Sequence, residues 1–187
     1  MINVIICGGF GKRLWPLSRK NFPKPFLSIL GEEPLFQQTI NRNLNCDSHM
    51  VITNEALAYQ SSYQINALNL ETPNELLLES HSRNTGPAIL IAALNAADDD
   101  LLIVTPADHS ISSINDYETT IKQACALASD DIVLIGVPPT YPSSQYGYIQ
   151  TDNNNVVEFK EKPTEEIAKQ YLASGNTAWN SGIFCFK

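Results

Sequence analysis

The chain has 187 residues, of which 43% are hydrophobic and 17% are charged, and its formal net charge is -8. This length is enough for one domain of ordinary size with a sizeable core, and the composition is typical of a soluble globular protein. An acidic protein repels nucleic acid and anionic membranes, and no apolar run approaches the roughly 20 residues needed to cross a bilayer. We therefore expect no nucleic-acid partner and no membrane, and a small anion as the ligand.

The N-terminus and the cysteines predict a cytoplasmic protein. Residues 1–9, MINVIICGG, lack a basic segment and pass directly into a strand pattern, which argues against a signal peptide. Cys7, Cys46, Cys125 and Cys185 are far apart and show no C-x-x-C pair. We interpret them as reduced, mostly buried thiols and expect no zinc site, because the ligand spacings of such a site are missing.

Strand and helix patterns alternate along the first 137 residues. Apolar runs rich in β-branched residues predict strands over 2–7, 50–53, 75–79, 101–106 and 132–137. Helices are predicted over 34–44 with Pro34 in the first turn, 54–68 capped by Asn54, 85–97, and about 115–128 opened by Asn115 with Glu118 three residues on. Most of these strands lack polar alternation, so we expect an α/β fold with a mostly parallel sheet covered on both faces.

The pattern changes after residue 137. The strands predicted over 146–150, 156–162 and 178–187 carry more polar residues, and a short helix is predicted over 165–175. The sequence ends at Lys187, inside a predicted strand, and we therefore expect it to be a fragment of a longer protein.

Residues 8–26, GGFGKRLWPLSRKNFPKPF, hold five of the twelve Lys and Arg residues. The stretch follows the first predicted strand, and open α/β sheets bind ligands at the carboxyl ends of their strands. It is not a Walker loop, because Arg13 follows Lys12, and it is not a dinucleotide fingerprint, because Leu14 replaces the third glycine. The pattern favours a nucleoside triphosphate, with Lys24 held between two prolines. The alternative is a glycine-rich turn with solvated basic residues.

Two further segments allow both a structural and a functional interpretation. Asp108 follows a buried strand, where it is either a turn or cap aspartate or a carboxylate at the mouth of the sheet. Asn84 and Thr85 precede an apolar helix and either cap it or allow its N-terminus to face an anion or a base edge. The sequence pattern leaves both alternatives open.

Several motifs together resemble a known family. The 8–26 stretch resembles the signature of sugar-nucleotide pyrophosphorylases, and its RLWPLSR and PKPF resemble those of the bacterial mannose-1-phosphate guanylyltransferases. The remaining family motifs are matched in order by ESHSRNTGPAI, PADH, YGYI, FKEKP and WNSG, at 79–89, 106–109, 146–149, 159–163 and 179–182. The resemblance implies a three-layer, Rossmann-like nucleotidyltransferase fold over residues 1–187, truncated at its C-terminal end. It also implies transfer of GMP from GTP to α-D-mannose 1-phosphate, giving GDP-mannose and pyrophosphate.

The resemblance implies a nucleotide site with Arg13 and Lys24 as catalytic cations. Its nucleotide-binding residues would be Gly8, Gly9, Gly11, Lys12, Arg13, Glu79, Arg83, Asn84 and Thr85. Asp108 would be catalytic as the residue that holds a Mg²⁺ ion between triphosphate and sugar phosphate. Glu79 is assigned to the guanine edge, and His109 is expected to be a structural neighbour rather than an acid or base.

The sugar site is expected in the last third of the chain. On their own, residues 159–163 also suit an exposed amphipathic strand with Lys160 and Lys162 on one face and Glu161 on the other. By resemblance, Glu161 accepts hydrogen bonds from sugar hydroxyls, and catalytic Lys162 binds the sugar phosphate. The sugar-phosphate-binding residues would be Tyr146, Gly147, Glu161, Lys162 and Asn180, whereas Trp179 also suits a core position.

The sequence departs from the family pattern at several positions. Lys12 stands where the family usually has threonine, and Ser80, His81 and Gly86 replace residues of the usual EPVGRNTAPA. Relatives continue to an aspartate that is the second metal ligand, so this chain holds one of two expected metal carboxylates. We therefore expect weak or absent turnover from the isolated chain.

Other functions remain open at this point. One alternative is a pyrophosphorylase for another nucleotide and sugar 1-phosphate, and another is a catalytically silent regulatory or binding subunit on the same fold. The missing third glycine disfavours a dehydrogenase. The sequence leaves open whether the protein forms a homo-oligomer.

Overall fold

The computed structural model describes residues 1–9, 11–80 and 84–187, without the side chain of Lys12. The strands are β1 Ile2–Cys7, β2 Ser48–Asn54, β3 Asn74–Glu79, β4 Leu102–Pro106, β5 Val133–Val137, β6 Tyr148–Asp152, β7 Asn155–Lys160 and β8 Thr177–Phe186. The α-helices are α1 Leu35–Asn41, α2 Glu55–Asn66, α3 Thr85–Asn95, α4 Ile114–Leu127 and α5 Glu165–Ser174. Short 3₁₀ helices cover Lys12–Leu14 and Lys24–Phe26. This order confirms the predicted α/β class, and none of the helices in the described ranges is long and apolar enough to span a membrane.

The chain divides into two compact units, Met1–Val133 with Phe184–Lys187, and Leu134–Ile183. The first unit is built on four parallel strands in the order β3-β2-β1-β4. Near its C-terminus β8 pairs antiparallel with β4, where Phe186 is opposite Leu102. Because parallel strands end at the same edge, the segments that follow β1, β3 and β4 emerge together.

Both faces of the first unit's sheet are covered, as the unbroken apolar strands predicted. Neighbouring strand residues point to opposite faces, and Ile5 and Val4 accordingly belong to different hydrophobic clusters. The Ile5 cluster includes Phe36 of α1 and Leu57 of α2, whereas the Val4 cluster includes Ala88 of α3. This arrangement confirms a three-layer unit with a mostly parallel core.

Several helix ends differ from the prediction. Helix α1 is shorter than predicted, because Pro34 lies at its N-cap position and Arg42 at its C-cap. Asn54 lies at the N-cap of α2, but its side chain makes no capping hydrogen bond. Helix α4 is capped by Ser113, whose hydroxyl accepts a hydrogen bond from the amide of Asp116 at 3.4 Å. Asn115 therefore lies inside the first turn and does not open the helix.

The second unit contains an antiparallel arrangement. Strand β6 pairs antiparallel with both β7 and β8, and β5 pairs with β8. The fifth strand predicted for the alternating region thus pairs with β8 and not with the four parallel strands. Helix α5 is capped by the hydroxyl of Thr164 and ends at Gly175, whose φ of +73° is in the left-handed region.

Candidate active site

The glycine loop after β1 is folded against Lys24. Gly11 has a φ of +56°, and a Cβ atom on it would lie 3.0 Å from the Cβ atom of Lys24 and 3.1 Å from its backbone nitrogen. Glycine is therefore needed both for this backbone conformation and for the close approach of Lys24. The Ser18 hydroxyl donates a hydrogen bond of 2.6 Å to the Gly11 carbonyl and fixes the loop from the other side. Gly8 is half-buried, and Gly9 is exposed with no atom within 4 Å of its Cβ position.

Lys24 is held by the residues on either side of it. Pro23 precedes the 3₁₀ helix that Lys24 begins, and Pro25 and Phe26 are buried. The Phe26 ring packs on the ring of Phe36, with the centroids 5.6 Å apart. The backbone of Lys24 is thus attached to the core while its ammonium extends outward.

The ammonium of Lys24 meets the carboxylate of Asp108. Lys24 Nζ is 3.1 Å from Asp108 Oδ2, and the two side chains are 33% and 38% exposed. The two residues meet because β1 and β4 are neighbouring parallel strands and the loops that follow them leave the same sheet edge. A partly exposed pair of this kind contributes little to stability. Its cation can instead bind a phosphate oxygen, and its carboxylate can bind a metal ion.

The loop that carries Asp108 is fixed on both sides. The amide of Ala107 donates a hydrogen bond of 3.1 Å to the carbonyl of Ile6 in β1. The carbonyl of His109 accepts a hydrogen bond of 3.0 Å from Arg42 Nη1. Burial lowers the pKa of His109 below its ordinary value of 6.5, the charge of Asp108 opposes this, and the charges of Arg42 and Lys24 add to it. The imidazole is therefore neutral at pH 7.

Asp108 is the candidate metal-binding carboxylate at this edge of the first unit. Among the described residues no group of three or more His, Cys, Asp or Glu side chains could hold a metal ion. Mg²⁺ is commonly bound through one or two carboxylates together with substrate phosphates and water. The Asp108 carboxylate therefore suits a metal ion that is shared with a phosphate ligand and does not suit a cage made by the protein alone.

The other predicted nucleotide residues lie near the same sheet edge or in the basic loop. Glu79 is the last residue of β3 and is 5% exposed. Asn84, with a φ of +64°, lies at the N-cap position of α3, its side chain makes no capping hydrogen bond, and Thr85 begins the helix. Arg13 is exposed in the 3₁₀ helix that follows Gly11. Arg83 and the side chain of Lys12 lie outside the described part of the chain.

In the second unit the predicted sugar residues converge on Gly147. A Cβ atom on Gly147 would lie 2.8 Å from Glu161 Oε2 and 3.5 Å from the Cβ atom of Asn180. The amide of Asn180 donates a hydrogen bond of 2.8 Å to the Gly147 carbonyl. A side chain at position 147 would therefore displace the Glu161 carboxylate from the place it has in this structure.

The predicted alternation of Lys160, Glu161 and Lys162 along a strand is wrong. Strand β7 ends at Lys160, where its pairing with Tyr148 of β6 ends, and Lys162 has a φ of +43°. The turn brings Glu161 and Lys162 together, with Lys162 Nζ 2.7 Å from Glu161 Oε1. Both side chains are more than half exposed. The Glu161 carboxylate and the Lys162 ammonium therefore lie together on one small polar surface and not on opposite faces of a strand.

Trp179 belongs to an aromatic cluster that the sequence did not reveal. Its ring centroid lies 4.9 Å from that of Tyr141 and 5.0 Å from that of Tyr146. Trp179 is half-buried, whereas Tyr141 and Tyr146 are 50% and 43% exposed. Tyr141 was missed because no motif marks it, and Arg42 was missed for the same reason. Their contacts depend on segments that are distant in the sequence.

Comparison with known proteins identifies the family. The nucleotidyl transferase model, NTP_transferase, matches residues 2–187. The chain belongs to this family. It is 42% identical over 205 residues to alginate biosynthesis protein AlgA of Pseudomonas putida, covering all of this chain and 41% of that protein. It is 41% identical over 202 residues to mannose-1-phosphate guanylyltransferase of Klebsiella pneumoniae, again covering all of this chain and 43% of that protein.

A solved structure agrees with the family assignment. The crystal structure described as mannose-6-phosphate isomerase from Helicobacter pylori matches with a TM-score of 0.86 and 33% identity, over 99% of this chain and 69% of that one. The resemblance and the nucleotidyltransferase fold predicted from the sequence are confirmed. The chain spans about two fifths of the length of the curated relatives.

Proposed function

We propose that the protein transfers GMP from GTP to α-D-mannose 1-phosphate, giving GDP-mannose and pyrophosphate. The observation that carries this proposal is the Lys24–Asp108 pair beside Gly11, at the carboxyl edge of the parallel strands. It joins a phosphate-binding cation and a metal-binding carboxylate where such folds bind nucleotides. The name of the Klebsiella relative supports guanine as the base and mannose 1-phosphate as the acceptor.

The proposed reaction needs positioning and charge more than acid–base chemistry. A phosphate oxygen of mannose 1-phosphate attacks the α-phosphorus of GTP in line, and pyrophosphate leaves. The acceptor is already an anionic nucleophile, so no general base is required, and His109 is neutral beside the site. The main obstacle is the repulsion between two polyanions, which Arg13, Lys24 and Lys162 offset.

Lys24 and Asp108 would each have a different partner in the complex with substrate. The Lys24 ammonium would bind the triphosphate, and the Asp108 carboxylate would hold Mg²⁺. A bound Mg²⁺ supplies positive charge that offsets the charge developing on the transferred phosphoryl group. Because both side chains are about one third exposed, breaking their ion pair costs little.

The Gly147 surface of the second unit suits a sugar phosphate. Glu161 Oε2 lies beside Gly147 without a side chain between them, and it accepts hydrogen bonds from sugar hydroxyls in the proposed complex. The Lys162 ammonium, next to it, binds the phosphate of the attacking substrate. The Asn180 backbone is tied to Gly147, which fixes the two walls of this surface relative to each other.

The substrate pair is tested by a matrix of nucleotides and sugar phosphates. Pyrophosphate release is measured with Mg²⁺ for GTP, ATP, UTP, CTP and dTTP against mannose and glucose 1-phosphates, using this chain and the full-length protein that contains it. We expect the fastest turnover with GTP and mannose 1-phosphate. Faster turnover with another pair would reassign the specificity. No Mg²⁺-dependent turnover of the full-length protein with any pair would favour a silent binding subunit.

Three further properties concern the cellular location of the protein, its biosynthetic role and its oligomeric state. We infer that residues 1–187 act as a nucleotidyltransferase domain in the cytoplasm, where nucleoside triphosphates and sugar phosphates are both at hand. The name of the Pseudomonas relative supports a role in polysaccharide biosynthesis. Sedimentation velocity of the full-length protein tests whether it forms a homo-oligomer.

A further inference from the structure

We propose that Arg42 is a positioning residue that holds the Asp108 loop in place through the carbonyl of His109. This inference rests on the proposed role of Asp108 in binding Mg²⁺ with GTP. The side chain of Arg42 donates hydrogen bonds to the His109 carbonyl and the Thr39 hydroxyl, and among the described residues it makes none to Lys24, Asp108 or the glycine loop. It acts on the backbone one residue beyond the carboxylate.

Arg42 is a buried cation held by neutral groups. The residue is 8% exposed, although arginine is almost never fully buried unless it is paired. Its Nη1 donates to the His109 carbonyl at 3.0 Å, and its Nη2 donates to the Thr39 hydroxyl at 2.8 Å. The guanidinium carbon lies 5.6 Å from the ring centroid of Tyr117. A carbonyl, a hydroxyl and an aromatic ring thus replace part of the water that the guanidinium loses on burial, while its Nε has no hydrogen-bond partner among the described residues.

The groups that hold Arg42 are themselves fixed. The Thr39 hydroxyl donates to the carbonyl of Leu35 at 2.9 Å, within α1. The Asn43 side-chain amide donates to the Thr39 carbonyl at 2.8 Å, and its oxygen accepts from the Tyr117 hydroxyl at 2.8 Å. The guanidinium therefore has one orientation, determined by α1 on one side and by α4 on the other.

This fixed guanidinium completes the support of Asp108. The residue before the carboxylate is tied to β1 by the hydrogen bond from the Ala107 amide to the Ile6 carbonyl. The residue after it is tied to Arg42. With an anchored neighbour on each side, the Asp108 backbone has little freedom, and its carboxylate is kept at 3.1 Å from Lys24 Nζ.

A purely structural role explains Arg42 less well. Its backbone already serves as the C-cap of α1, and an apolar side chain of similar length would fill the same space without a buried charge. Burying a guanidinium is unfavourable unless its hydrogen bonds are made. Thr39 and Tyr117, which also contact the guanidinium, lie in α1 and α4. The hydrogen bond to the His109 carbonyl instead connects Arg42 to the loop that carries Asp108, the proposed metal ligand.

The first measurement tests the loop directly and needs no ligand. Amide hydrogen exchange is followed by mass spectrometry in peptides that contain Ala107, for the wild type, Arg42→Met, Arg42→Lys and the control Ile52→Val. Met keeps an unbranched side chain without donors, Lys keeps a positive charge with a single ammonium group, and Ile52 is a buried residue of the Val4 cluster. We expect at least about tenfold faster exchange in Arg42→Met, a smaller increase in Arg42→Lys, and no local increase in Ile52→Val.

The second measurement tests the link to the metal. Isothermal titration calorimetry gives the affinity for GTP with Mg²⁺ and with EDTA, for the same four proteins. We expect Arg42→Met to weaken Mg²⁺-dependent binding by about tenfold and to leave metal-free binding within about twofold of wild type, because Asp108 acts through the metal. Arg42→Lys should recover part of the loss. A residue that only stabilised the fold would lower both affinities together.

The two measurements separate the possible failures. Unchanged exchange at Ala107 in Arg42→Met would overturn the inference, and so would faster exchange with unchanged Mg²⁺-dependent affinity. If the wild type binds no GTP with Mg²⁺, the proposed function is wrong. The exchange experiment would then still decide whether Arg42 holds the loop.

Discussion

Lys24 is the residue whose charge the proposed reaction needs most directly. It faces Asp108 at 3.1 Å and its backbone is fixed by Pro23, Pro25 and Gly11. We predict that Lys24→Ala lowers kcat/KM for pyrophosphate release by at least about tenfold, or about 1.4 kcal/mol. Arg13→Ala should have an effect of the same size, because both cations offset the triphosphate charge.

The same substitution should hardly change stability. The Lys24–Asp108 pair is partly exposed, and such pairs contribute about 0–1 kcal/mol. Lys169→Ala is a matched control, because Lys169 pairs with Glu165 at 2.7 Å on an exposed face of α5. Urea titrations should show similar small losses for both variants, while only Lys24→Ala loses activity in the full-length protein. Wild-type kinetics in Lys24→Ala and Arg13→Ala would contradict their proposed roles.

Individual residues were predictable from the sequence where the constraint is local. The glycines and prolines around Lys24 restrict the backbone through their own geometry, and the structure shows Lys24 held as that geometry predicts. The opposite-face prediction for Glu161 and Lys162 was wrong because the end of β7 depends on its pairing with β6. Arg42 could not be predicted, because its role depends on a carbonyl from a loop distant in the sequence.

At the scale of elements, helix α4 offers a clean test of a helix start. Ser113 accepts a hydrogen bond from the Asp116 amide, whereas Asn115 lies within the first turn. We predict that Ser113→Ala lowers the free energy of unfolding by about 1 kcal/mol, because an orphan amide loses its partner. Asn115→Ala should change it by less than about 0.5 kcal/mol. Urea titration of the two variants measures the difference.

A larger loss in Asn115→Ala than in Ser113→Ala would show that the helix starts where the sequence first suggested. The ambiguity has a physical origin, since Ser and Asn are nearly equal as N-cap residues. Periodicity therefore located α4 but not its first residue. Strand β5 is a similar case: its apolar sequence predicts a buried strand but does not indicate that the strand pairs with β8.

At the scale of the whole molecule, the parallel sheet of the first unit followed from the sequence. Its four strands lack polar alternation because helices cover both faces, and this property is visible in each strand separately. The pairing of the second unit is antiparallel and joins strands by long-range contacts that no single strand encodes. Sequence patterns thus predicted that helices cover both faces of the parallel sheet, but they did not predict which strands are neighbours in the second unit.

Two described histidines, the buried His49 and the half-buried His109, contribute to the way the free energy of unfolding depends on pH near neutrality. His49 in β2 is 1% exposed, and neither ring nitrogen has a hydrogen-bond partner among the described residues. Burial lowers the pKa of His49 and of His109 below the ordinary value of 6.5. The folded state therefore keeps both rings neutral at pH values where the unfolded chain binds protons.

This difference predicts loss of stability on mild acidification. Because the unfolded state binds more protons than the folded state as these histidines titrate, the free energy of unfolding should fall as the pH drops from 7 to 5. Urea titrations at pH 8, 7, 6 and 5 measure it. His49→Gln should flatten the fall whatever its effect at pH 8, because glutamine does not titrate. A free energy of unfolding that stays constant or rises between pH 6.5 and 5 would show that His49 and His109 are not kept neutral in the folded state.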